Sequence, residues 1–309
     1  MTSLSNMFVV CGLHRSGTTY VGEILHRCGV TIIHEPLNEH HGVEGVPVAY
    51  PHVEHSGDHF APLLNKLFDL NARWNRSRLA QMNSGCSKWL YRLTGGRKGI
   101  HWGSIRLRRG LGCPPKLFCW KDPFASLATP YLVNAFNARI LCLVRHPAAI
   151  HYSTEKQGWR FDIANLIDQP ELIARYGQDI PSTHWAMARE YPAASIAILW
   201  KFMFRINSAF AERDERLLLQ SHENLCLAPV SSARKICAHF GLDFSAPLES
   251  YVLEHASGTN TEASNGRLHD FRRDVKALPD AWRSRVSAAD EKLIRDLVGD
   301  DVLSFYGTW

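Results

Sequence analysis

The chain has no apolar stretch near the roughly 18 residues that a membrane span needs; its longest runs, such as Ile140-Leu141-Cys142-Leu143-Val144, have the length of a strand. No basic stretch precedes the first apolar run, so no signal peptide is read at the N-terminus. No Cys-x-x-Cys pair occurs among the eight cysteines. Several of them lie within apolar runs, which points to buried thiols and away from a disulfide framework. Neither sign of charge dominates: 35 basic and 30 acidic side chains leave a formal charge of +5. With no long basic run, that balance suits anionic ligands better than wholesale wrapping of nucleic acid. Internal repeats and low-complexity tracts are also missing. These absences describe a cytoplasmic chain without a transmembrane segment or a nucleic-acid partner. Its 309 residues, 45% of them hydrophobic, suffice for a substantial core. One domain, 1–309, with two insertions is expected.

One further absence is informative. In CGLHRSGTTYVG, Gly12 and Gly17 have the spacing of a phosphate-cradling loop and Thr19 stands at its hydroxyl position, but Thr18 replaces the lysine that clamps a γ-phosphate. The flanks support the motif. Met7 to Cys11 is a continuous apolar run suited to a strand covered on both faces. Tyr20, Ile24, Leu25 and Cys28 then recur at helical spacing before Gly29. Loop amides and a helix N-terminus would face an anion.

Strand-like segments alternate with helical patterns: Phe8 to Cys11, Thr31 to Ile33, Leu117 to Trp120, Arg139 to Val144 and Arg216 to Leu219. The expected fold class is α/β, a three-layer α/β/α arrangement with a mostly parallel central sheet, and ligands should gather at the strand C-termini. Ala193 to Asp214 reads as a buried helix, and Ser287 to Val298 as an amphipathic one with a capping serine. Segments 37–60 and 159–185, rich in Gly, Pro and His or broken by Pro170, Gly177 and Pro181, read as insertions over the strand ends. His52, His55 and His59 have spacings open to metal ligation or to a plain solvated loop. HEPLNEHH is no zinc-protease helix, because Pro36 interrupts it and the second His is misplaced.

A second anion site is suggested where the strand Arg139 to Val144 runs into Arg145-His146-Pro147. Pro147 suits a helix's first turn and places Ser153 two turns along it. An arginine fork with a hydroxyl suits a phosphate.

The lysine-free loop and this second site together resemble the sulfotransferases that use 3′-phosphoadenosine 5′-phosphosulfate (PAPS), which have a P-loop-type fold. CWKDP, SHENLCLAP (with His222 in place of the usual Tyr), HFGLDF and NGRLHDFRRDVKALPDAW are similar to less specific features of that family. The Gly-x-x-Gly element of some branches is missing. The likeness runs from Phe8 to about Trp282 and leaves both insertions unmatched. It implies that Arg15, Ser16, Gly17, Thr18 and Thr19, with His14 beside them, hold the 5′-phosphosulfate, and that Arg145 and Ser153 hold the 3′-phosphate, with Arg272 and Arg273 closing over it. Such a donor has no γ-phosphate, which accounts for the missing lysine. The implied reaction is in-line transfer of the sulfuryl group to a hydroxyl or amine of a small molecule, a carbohydrate or a lipid-linked acceptor, with no metal.

Arg15 and Lys121 would then carry positive charge to the reacting group, and Glu35 would be the base, its pKa raised by partial desolvation. His34, His14 and Asp122 are alternatives for the base, and Glu35 could instead be a salt-bridge partner of Lys121. Glu223 is expected to order a strand end. Trp74, Trp89, Trp102, Trp159 and Trp185 are open to roles in acceptor stacking or in the core. The rival readings are a P-loop small-molecule kinase, with Lys121 as its clamp, and a non-enzymatic nucleotide-binding module.

Overall fold

A computed structural model of the protein describes residues 7–75, 96–113, 115–256 and 275–309. Five strands, β1 (Met7–Gly12), β2 (Thr31–His34), β3 (Phe118–Lys121), β4 (Arg139–Val144) and β5 (Leu217–Ser221), form one sheet in the order β2-β3-β1-β4-β5. Every pairing is parallel. The register sets Val9 against Trp120 on one side and Ile140 on the other, and Leu141 against Leu218.

Successive strand residues point to opposite faces, and both faces are covered. Met7, Val9, Cys11, Trp120, Ile140 and Cys142 join a large core with the helix Pro192–Ala211 and the last helix, Ala288–Tyr306. Phe8, Val10, Cys119, Leu141 and Leu143 join a smaller core with Val21 and Leu25 of the helix Thr18–Arg27 and with Ile236 and Phe240. This is the three-layer α/β arrangement, and it explains why the strands are apolar throughout instead of alternating. Trp200 and Phe202 in the long helix are fully buried, each side chain of that kind contributing about 1.5–3 kcal/mol.

Chain order reverses about β1: the path leaves it toward β2 and β3 on one side and toward β4 and β5 on the other. The crevice outside such a reversal is where ligands bind in open parallel sheets. The strands begin or end within two residues of the expected positions. The last helix is longer than its apolar periodicity indicated, running through Tyr306 to Gly307, whose φ of 72° closes it. Its start is as expected, with the Ser287 side chain accepting from Asp290 N at 3.0 Å. Among the described residues no helix is long and apolar enough to cross a membrane.

Candidate active site

The anion loop is shaped by two glycines with different reasons. Gly12 has φ 120°, and a Cβ there would lie 2.2 Å from Leu143 O; Gly17 has φ 94°, and a Cβ there would meet His222 Nδ1 at 3.0 Å. The loop is fastened from three sides. Ser126 Oγ accepts from Gly12 N at 2.9 Å, Arg145 Nη1 donates to Arg15 O at 2.6 Å, and His222 Nδ1 lies 3.1 Å from Ser16 O. His222, the departure from the resembled motif, therefore supports the loop from the end of β5. Burial, with the Arg145 charge, pushes its imidazole well below the usual range, so it stays neutral.

The two expected anion sites meet. Arg15 Nε donates to Ser153 Oγ at 3.0 Å, joining the loop to the helix Pro147–Glu155 that follows β4. Arg145 is held at that strand end by Trp200, whose indole N–H donates to its carbonyl at 2.8 Å. Ser16 Oγ is buried with no partner among the described residues. An orphaned hydroxyl, the N-terminus of the helix Thr18–Arg27 and two guanidinium groups fit a phosphate-bearing ligand. Glu223 accepts from His146 N at 2.9 Å and from Tyr306 at 2.9 Å, which orders the strand end as expected. His146 stacks on Trp282 at 4.5 Å and meets the edge of Trp309 at 4.8 Å. Tyr306 and Trp309 belong to no motif, so their bracing of His146, the residue beside Arg145, could not be read from the sequence.

A cavity of about 800 Å³ opens beside the loop. One wall is Leu13, His14, Arg15, Thr18 and Thr19. The other comes from His34 at the end of β2, Glu35 after it, Lys98, Lys121 and Phe124, with Asn38 to His41, Tyr50 and Trp159 to Asp162 forming the mouth. Both segments read as insertions thus line it. Among the described residues, three of the five non-glycine positions with positive φ are here: Arg15 at 72°, Glu35 at 54° and Tyr50 at 61°. Such conformations cost about 1–3 kcal/mol each and cluster where function holds them.

Glu35 differs from expectation. Burial pushes its carboxyl up, but Lys121 at 2.6 Å and Lys98 at 3.5 Å outweigh that and hold it at about 2. The anticipated rise is replaced by a fall because two ammonium groups face one carboxylate. Lys98 was not anticipated, since nothing in GGRKGIHWG marks it. Asp122 is spent on the backbone: its oxygens accept from Leu37 N at 2.7 Å and Phe124 N at 3.0 Å, and it is not part of the cavity wall. Burial, reinforced by the Glu35 charge, pushes it up to about 7.

The two mouth segments are sewn together. Asn165 Oδ1 accepts from Ala49 N at 2.7 Å, Gln169 Oε1 accepts from His52 N at 2.7 Å, and Gln169 Nε2 donates to Tyr50 O at 3.1 Å. His52 turns to Glu54 at 3.2 Å, which also receives Tyr176 and Arg175. Of the three spaced histidines, His52 belongs to this polar latch, and among the described residues no group of three or more His, Cys, Asp or Glu is arranged to hold a metal. Trp74 and Trp102 pack on each other in the core at 5.7 Å, whereas Trp159 is 41% exposed in the cavity wall. Arg272, Arg273 and Trp89 lie outside the described residues.

No curated protein matches the sequence. Among solved structures, the chain is similar to a sulfotransferase domain from the curacin biosynthetic pathway, at 14% identity over 96% of this chain and 97% of that one, with a TM-score of 0.48. It is similar also to sulfotransferase STF9 from Mycobacterium avium, at 14% identity over 100% and 78% of the two chains with a TM-score of 0.44. Mouse sulfotransferase SULT7A1, solved in complex with PAP, matches at 13% identity over 96% and 85%, with a TM-score of 0.43. The model of the sulfotransferase family matches residues 8–246, from β1 through β5 and beyond. By that match, the chain belongs to the sulfotransferase family.

Proposed function

We propose that the protein transfers the sulfuryl group of PAPS to a hydroxyl or amine of an acceptor held in the cavity beside the anion loop. The carrying observation is the junction of Arg15, Ser153 and Arg145, which offers two adjoining phosphate sites with no γ-phosphate clamp. Arg145 and Ser153 would hold the 3′-phosphate. Loop amides, Ser16, Thr18, Thr19 and the Arg15 guanidinium would hold the 5′ end, where leaving-group charge develops. A P-loop kinase has its clamp lysine in the loop, where Thr18 stands here.

In the transfer the acceptor oxygen or nitrogen forms its bond to sulfur as the bond from sulfur to the phosphate oxygen breaks. The acceptor's proton goes to Glu35, and the electron pair of the broken bond leaves on the phosphate beside Arg15. With Lys121 drawn to the sulfuryl oxygens, Glu35 loses the nearer of the two ammonium groups that hold its carboxyl down, and burial, the largest single influence on it, pushes it up against Lys98. Trp159 and Phe161 in the mouth offer apolar faces to the acceptor body, and the segments 37–60 and 159–185 would set acceptor choice. The test is transfer of ³⁵S from labelled PAPS to a panel of phenols, aliphatic alcohols, sugars and lipid-linked glycans. Label on at least one acceptor class is expected. Turnover of ATP with Mg²⁺ and none of PAPS would overturn the reading.

A further inference from the structure

Tyr50 carries a hydroxyl from the mouth segment onto the anion loop. Its Oη lies 2.5 Å from His14 Nδ1. Tyr50 is 2% exposed, and burial pushes its phenol up, so it keeps its proton. A buried phenol proton needs an acceptor, and among the described residues Nδ1 is the one in reach. Nδ1 therefore accepts, and the proton of a neutral ring sits on Nε2. The ring is neutral because burial above all, helped by Lys121 and Arg15 and opposed by Glu35, brings His14 down to about 4. Phe124 packs edge-on against it at 4.6 Å and Trp159 at 6.2 Å, which limits other orientations.

His14 lines the cavity between the donor side (Arg15, Thr18, Thr19) and the pair Glu35 and Lys121. We propose that His14 Nε2–H, fixed in that tautomer by Tyr50, donates a hydrogen bond to the sulfuryl oxygens during transfer. His14 is then a catalytic donor and Tyr50 its positioning residue, an inference that rests on the sulfuryl-transfer reading. A neutral donor suits this place. It stabilises charge on the sulfuryl oxygens without repelling Arg15 or Lys121 and without competing with Glu35 for the acceptor's proton.

The test needs no acceptor: calorimetric titration with PAP and, separately, with PAPS, whose one difference is the sulfuryl group. Wild-type protein should bind PAPS more tightly than PAP. In His14→Leu that preference should fall about tenfold, with PAP affinity falling far less than PAPS affinity. His14→Gln, which keeps a donor, should recover most of it, and Tyr50→Phe should lose about threefold. Equal weakening of PAP and PAPS in His14→Leu, or His14→Gln behaving like His14→Leu, would overturn the proposal and leave His14 a packing residue of the loop. Nitrogen NMR of ¹⁵N-histidine-labelled wild-type protein is a second check that does not depend on a variant folding. An unprotonated Nδ1 is expected, and a protonated Nδ1 would overturn the inference. Failure of the wild type to bind PAP would strike the donor reading itself, an outcome distinct from a lost preference between two bound nucleotides.

Discussion

The two sides of the cavity are built by different means. The proposed donor side is backbone: a loop with two positive-φ glycines, stitched to the ends of β4 and β5 through Arg145 and His222. The acceptor side is side chains, with Asn165, Gln169 and Glu54 sewing two irregular segments together. Backbone geometry tolerates no substitution that adds a Cβ in the wrong place. A side-chain latch can change residue by residue while the segments stay docked.

That contrast makes four predictions, in falling order of effect. Gly12→Ala should damage the donor side most, because the added Cβ collides with the Leu143 carbonyl at a φ of 120°; a loss of about 3 kcal/mol or more in urea unfolding, together with nucleotide binding, is expected. Lys121→Met should lower sulfuryl transfer by on the order of 10²- to 10³-fold. In the same variant the Glu35 carboxyl should titrate above its present value of about 2, since Lys121 is its nearest countercharge. Activity that survives that substitution would break the assignment of Lys121 to the reacting group.

On the acceptor side, Gln169→Ala strips partners from His52 N and Tyr50 O. A cost of about 2 kcal/mol is expected, with PAP affinity unchanged by calorimetry. A fall in PAP affinity would mean that the two sides are not separable. The smallest effect is a pH effect. Burial raises the Glu54 carboxyl, but His52, Tyr176 and Arg175 outweigh it and hold it at about 2, against an ordinary 4.5. A carboxylate lowered on folding lends stability above its unfolded pKa and withdraws it as pH falls through the folded one. Glu54→Gln should therefore flatten the stability slope of the wild type between pH 4.5 and about 2, measured by thermal unfolding across that range.

The donor side was legible in the sequence because its constraints are local. Apolar runs of strand length, glycines at fixed spacing and Pro147 after an arginine each act within a few residues of themselves. The sheet, the loop and the placing of Arg145 at the end of β4 followed. The acceptor side was not legible, because its contacts span long separations between irregular segments: Gln169 reaches His52, Asn165 reaches Ala49, and Tyr50 reaches back to His14. Glu35 shows both cases. Its position after a short strand could be read from TIIHEP, but the fall in its pKa could not, because Lys98 and Lys121 arrive from distant parts of the chain.

The central claim is that the junction of Arg15, Ser153 and Arg145 reads a 3′-phosphate. Calorimetric titration of wild-type protein and Arg145→Ala with PAP and with adenosine 5′-phosphate tests it directly. The account predicts that the wild type prefers PAP and that Arg145→Ala loses affinity for it by on the order of 100-fold, with much less change for adenosine 5′-phosphate. Equal affinity of the wild type for the two nucleotides, or equal loss of both in the variant, would contradict it.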